Sequence, residues 1–393
     1  MRKMVAVLLT AVCLAYIAGC GDTSTTAATT TVYDVPASLA TVSYPAVLGG
    51  SVQTATGLSL AVPAAVSQSI GGTAGFSNIS SAGSATFNRP IAVTTDGTDL
   101  YVADSLNNAI RKVNIVTQHV TTIAGNAVGL AGSADGIGSA AGFNLPNGIT
   151  TDGQNLYVTD SGNFTIRKIV ISSGEVTTLA GAVGSAGSVD AVGTNARFNV
   201  LNGITTDGTS LYVTDSNNTI RRIVIATGAV TTLAGTPGTS GSSDGLQAAA
   251  RFNLPARIIT DGPNLYVTDF SNNTIRKIAL ATGAVTTIAG KAGPGGAFGS
   301  HLDSADNGLN ARFNQPNGIT CDGPNLYVTD SYDNTVRMIV LSSTTVAAGP
   351  VSTLTTIGAA ALNSIIGITT DGTSLYVTDF TADTLSHVIR KIQ

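Results

Sequence analysis

Along residues 148–181, GITTDGQNLYVTDSGNFTIRKIVISSGEVTTLAG, short apolar runs alternate with polar turns. Residues 149–151 form a first run, and Asp152-Gly153 behind it is a turn signal. Residues 156–159 make a second run, followed by polar turn material over 160–163. Residues 165–171 make a third run, turned by Ser172-Ser173-Gly174, and 176–180 a fourth, closed by Gly181. The pattern predicts four short antiparallel strands. Ile169-Val170-Ile171 is apolar without alternation, as expected of a strand buried on both faces.

The unit recurs. The phrase D-G-x-x-L-Y-V begins at Asp96, Asp152, Asp207, Asp261, Asp322 and Asp371, at intervals of 56, 55, 54, 61 and 49 residues. Periods of this size mark a repeat architecture, so the 393 residues are not a string of unrelated domains. Four antiparallel strands per repeat describe the blade of a β-propeller. The last copy ends after its third strand, over 388–392. Residues 66–71, VSQSIG, align with the fourth-strand phrase VTTLAG and stand ahead of the first repeat. The predicted fold is therefore all-β: a six-bladed propeller, four antiparallel strands per blade, its last blade closed by an N-terminal strand.

In wording, the blades resemble NHL repeats. The resemblance rests on LYVTDSxNNTIRKI and on the inter-blade phrase ARFNQPNGI over 311–319, and it covers 64–393. It implies a six-bladed NHL propeller. NHL domains include protein-binding and RNA-binding modules, sensor domains and a few lyases.

Composition narrows the chemistry. Charged residues are 11% of the chain, against roughly 25% in ordinary domains. Net charge is −4 and the pI about 5.2, which argues against nucleic acid or anionic lipid as a non-specific partner. Glu175 is the only glutamate, and the histidines are His119, His301 and His387, so acid–base and metal chemistry have few candidates. Cys13 and Cys20 fall in the leader, leaving Cys321 alone in the repeat region, where no disulfide framework is possible.

The leader carries an address. Arg2 and Lys3 precede an uncharged apolar run over 4–19. That run is short against the roughly 20 residues of a membrane span and reads as a secretory signal. It ends in Ile17-Ala18-Gly19-Cys20, which resembles the lipobox of bacterial lipoproteins. The resemblance implies cleavage before Cys20 and acylation of Cys20. Gly21 at the following position favours the outer membrane under enteric sorting rules. The expected domains are a signal peptide over 1–19, the lipidated Cys20 with a Thr/Ala-rich tether over 20–63, and the propeller over 64–393.

Candidate sites lie where the copies carry chemistry or disagree. The linkers into successive blades share an Asp and then Ala-Arg-Phe-Asn: Asp190 with Arg197, Asp244 with Arg251, Asp306 with Arg312. The bland expectation is an Asp capping a short helical turn and Phe198, Phe252 and Phe313 plugging between blades. The functional one is a binding surface formed by linkers crowded on one face, with His301 in the longest of them. Asp303 to Gly308 lacks the ligand spacing of an EF-hand loop. The second-strand carboxylates Asp104, Asp160, Asp215, Asp269, Asp330 and Asp379 are expected to bond their own turns and pair with Arg111, Arg167, Arg221, Arg276, Arg337 and Arg390. In the channel-lining first strands, Arg257 stands where other blades carry Gly148, Gly203, Gly318, Gly367 or Ala92. It is either a ligand anchor at the channel mouth or the partner of a loop Asp. Cys321 replaces Thr151 of the repeat and is expected to be buried and inert.

No catalytic constellation, metal site or cofactor motif emerges. The expectation is a non-enzymatic, monomeric, outer-membrane-anchored lipoprotein, periplasmic or cell-surface, whose propeller binds a protein or glycan and not nucleic acid. Its candidate binding residues are Arg257, Arg197, Arg251, Arg312, Asp306 and His301. The alternative is a propeller-type lyase or lactonase with a metal in the central channel.

Overall fold

The computed structural model describes residues 66–73, 75, 85–126, 128–292, 303, 308–341, 349–354, 362, 364–380 and 386–393. All belong to one compact unit, Val42–Gln393. The other unit, Met1–Thr41, holds the leader and Cys20 and lies outside the described residues.

Six sheets of antiparallel strands form the blades. Their first strands are Pro90–Thr95, Pro146–Thr151, Leu201–Thr206, Pro255–Thr260, Pro316–Cys321 and Ile365–Thr370. Each packs against the first strand of the next blade, and Ile365–Thr370 returns to Pro90–Thr95, so the ring closes on a central channel. Glycine makes that approach possible. A Cβ on Gly148, Gly203, Gly318 or Gly367 would sit 2.2–2.8 Å from the neighbouring strand's backbone. The sixth blade takes Val66–Thr73 as its outer strand, paired antiparallel with Ser386–Ile392, as the sequence predicts.

The apolar core lies between blades in six clusters. In the second blade Leu156, Val158 and Ile169 pack back on the first blade's Tyr101 and Ile110. From the same sheet Tyr157 and Ile166 pack onward on the third blade's Phe198 and Leu211. Leu-Tyr-Val is thus a period-two strand that feeds both inter-blade cores. The tyrosine hydroxyl reaches past the core to donate to the turn aspartate five residues earlier, at 2.7–2.9 Å in all six blades. That aspartate also accepts backbone N–H groups of its own turn, as Asp152 does from Gln154 and Asn155.

In four of the six blades a second-strand threonine ties the blade to the next. The hydroxyl of Thr159 accepts from Gly148 N–H and donates to Asn202 C=O in the following blade. Thr214, Thr268 and Thr329 repeat the relay. Outer edges are covered where linkers add a short strand, Gly136–Ile137 on the second blade and Gly245–Leu246 on the fourth.

Candidate functional site

Each linker into a blade and each turn between second and third strands lie on one face, because the first strand starts where the second ends. The turn aspartates lie on the opposite face. On the linker face the repeated polar residues build one ion-pair assembly per blade. In the second blade Arg167 Nη1 donates to Asp160 at 2.9 Å and to Gly142 C=O at 2.8 Å, while Nη2 donates to Asp135 at 2.8 Å. The guanidinium lies 5.1 Å over the Phe143 ring. Asp160 also accepts the Asn144 N–H and the Asn163 side-chain amide. The same assembly is centred on Arg221, Arg276 and Arg337, and Arg111 shares its inner pair with Asp104 and its stacking on Phe87. Both partners of the inner pair are buried completely. Burial outweighs the pull of the guanidinium and pushes the Asp104 and Asp160 carboxyls up to about 6. The ring of carboxylates is structural, as expected. Arg390 of the last blade departs: its Nε bonds Asp379 and its Nη1 the Ser69 hydroxyl on the closing strand.

One expectation is corrected. Asp190 and Asp244 do not cap helical turns: the residues capping Gly193–Asn195 and Gln247–Ala249 are Val192 and Leu246, with no side-chain cap bond. Asp190 and Asp244 instead bind Arg221 and Arg276 and accept from Thr232 and Thr287 on the outer strand. The blade holding Arg312 uses Asp303 in this role, bonded to Arg337 and Thr353. Asp306 and His301 lie outside the described residues. Sequence reasoning missed Asp135, whose signal was its place eight residues before Phe143, matching Asp190 before Phe198.

The linker arginines stand apart from these assemblies. Arg197 and Arg251 are half-buried and donate to carbonyls of their own turns, at Thr194 and Ala196, and at Ala248 and Ala250. Arg312 is exposed. They occupy equivalent positions on three successive blades and do not meet Arg257. Arg257 lies in the channel, 8% exposed. Among the described residues it pairs with no loop aspartate. Its Nη1 donates to Asn147 Oδ1 at 2.6 Å and its Nη2 to Ile91 C=O at 2.9 Å, spanning the channel from the fourth blade to the first and second. Cys321 is buried, and burial pushes its thiol up to about 12, the state of an inert core residue.

Around the channel mouth the residue before each first strand is Arg89, Leu145, Val200, Leu254, Gln315 or Ser364. Arg89, Leu145, Leu254, Gln315 and Ser364 all hold left-handed backbone, φ 40–56°, and of these Leu145 and Leu254 alone carry an apolar side chain. Both are also solvent-exposed, at 43% and 47%. Each is held through its N–H by an asparagine of the preceding blade, Asn108 or Asn218. At the closing seam His387 takes the asparagine's place. Its Nδ1 accepts the Arg89 N–H at 2.6 Å, and burial lowers its basicity. Among the described residues no three His, Cys, Asp or Glu side chains cluster as metal ligands would.

Fold and repeats together define a six-bladed β-propeller with NHL repeat-containing homologues. NHL repeat-containing protein 2 of Bos taurus is 28% identical over 304 residues, covering 67% of this chain and 40% of that protein. The Homo sapiens protein of the same name is 26% identical over 305 residues, covering 68% and 41%. The chain thus spans about two fifths of the length of these curated relatives. No family model matches the chain. Among solved structures, a structural-genomics protein of unknown function from Bacteroides thetaiotaomicron shares the fold with a TM-score of 0.56 at 21% identity, covering 83% of this chain and 74% of that one. An auxiliary nutrient binding protein from the same organism gives 0.54 at 15%, covering 78% and 69%. One from Bacteroides ovatus gives 0.53 at 18%, covering 78% and 69%.

Proposed function

We propose that this propeller is a non-enzymatic binding module, displayed by a lipid anchor on Cys20 at the outer membrane, and that the linker face around the channel mouth receives a protein partner. The observation that carries this reading is the pair Leu145 and Leu254. A left-handed backbone costs a branched side chain about 1–2 kcal/mol and suits Gly or Asn. With 43% and 47% of their surface exposed, the leucines recover only part of that cost by burial. The equivalent left-handed positions of other blades carry the polar Arg89, Gln315 and Ser364, so the apolar side chains at 145 and 254 are what a covering partner accounts for. Val200 extends the apolar rim to the blade between, and Arg197, Arg251 and Arg312 supply an outer polar margin. Two propellers of the same fold described as auxiliary nutrient binding proteins support a binding role.

The test is affinity capture from envelope extracts with wild type and with Leu145→Asn/Leu254→Asn. The double variant should melt at or above wild type and lose the partner. Undiminished capture by the double variant would contradict a site at the rim. Capture of a glycan by both proteins would replace the protein partner with a saccharide.

A further inference from the structure

Among the described residues no carboxylate pairs with Arg257. Its two terminal nitrogens donate to neutral oxygens, and its Nε has no hydrogen-bond partner. Burial lowers its pKa to about 10, so it stays charged at neutral pH. A buried unpaired charge is costly, and proteins place a partner beside it. The channel holds a partly open cavity of about 60 Å³ that Arg257 helps to line, room for a few waters. Its lining comes from all six first strands and includes no Asp, Glu, Lys or His besides the Arg257 guanidinium.

The cavity supplies donors as well as charge. Thr94, Thr150, Thr205, Thr320 and Thr369 line it at equivalent positions of five blades. All five residues are buried, and each carries a hydroxyl that can donate a hydrogen bond. The sixth position, on the strand that carries Arg257, is Ile259. A ring of hydroxyls can donate to an anion and can equally hold water. The guanidinium in the same lining favours the anion.

We propose that the channel cavity lined in part by Arg257 binds a small monovalent anion, a halide or a formate-sized carboxylate, between the guanidinium and the threonine hydroxyls. A single positive charge and the size of the cavity select against sulfate and phosphate. The ion ties the fourth blade to the others through Arg257, so it acts as a pin at the centre of the ring. This inference is independent of the rim's partner.

Melting in chloride is compared with melting in methanesulfonate at the same ionic strength, for wild type, Arg257→Met and Arg257→Gly, the last restoring the repeat's usual residue. Wild type should gain about 2–4 °C in chloride, the size of shift expected from modest saturation of one site. The variants should gain nothing. Crystals of the wild-type protein soaked in bromide should show an anomalous peak in the channel within hydrogen-bond reach of the threonine hydroxyls. Equal salt response in all three proteins, or a channel holding water alone in bromide, overturns the proposal. The bromide measurement needs no variant, so a substitution that fails to fold does not shield the idea.

Discussion

At the residue scale the chain spends its few charges inside. Arg167 is buried with Asp160, stacked on Phe143, and extended by Asp135 to the outer strand. Removing one member leaves an uncompensated charge at a blade seam. Arg167→Ala should therefore lose about 3–5 kcal/mol in urea unfolding. Arg197→Ala, which gives up only bonds to its own turn, should stay within about 0.5 kcal/mol. His387 makes a pH-dependent contribution. Its native pKa is lowered, so the unfolded chain takes up the proton first as pH falls below about 6.5. The bond to Arg89 N–H is worth about 1 kcal/mol above that pH. The stability gap between wild type and His387→Ala should shrink as pH drops from about 6.5 toward the native pKa. A gap independent of pH would show that the imidazole is not the seam's acceptor.

At the element scale the strand Val66–Thr73 decides whether six blades make one ring. It pairs along the whole of Ser386–Ile392, and Ile70 joins the core between the sixth and first blades. Deleting 66–73 should expose an unpaired edge at that seam, lower the melting temperature and break unfolding into more than one transition. A single transition at the wild-type temperature would refute closure by this strand. The strand was legible because repeats allow an element to be found by what the last copy lacks. The inter-blade threonine relay was not legible. Thr159 and Thr214 read as ordinary β-branched residues, and their bonds run to a strand more than 40 residues away. The linker aspartates misled for a related reason. A carboxylate ahead of a short turn looks like a local cap, whereas Asp190 is used by Arg221, 31 residues on.

At the scale of the whole molecule, repetition separates structure from function. Polar residues that recur in every blade hold blades together, and what remains free to recognise a partner is what differs between copies. Arg257 stood out in the sequence for that reason, although its span across the channel required the fold. Leu145 and Leu254 did not stand out, because a leucine before proline shows nothing of its backbone conformation in sequence. The address belongs to this scale too: palmitate labelling of the expressed full chain should disappear in Cys20→Ser, and an unlabelled wild type would remove the lipid anchor. The most direct test of the binding account is site-specific photo-crosslinking in intact envelopes, with the reactive group placed at position 145 or 254 on the linker face, or at 209 or 373 on the opposite face. The account predicts one discrete adduct from 145 and 254 and none from 209 and 373. Adducts from the opposite face alone, or none from either face, would contradict it.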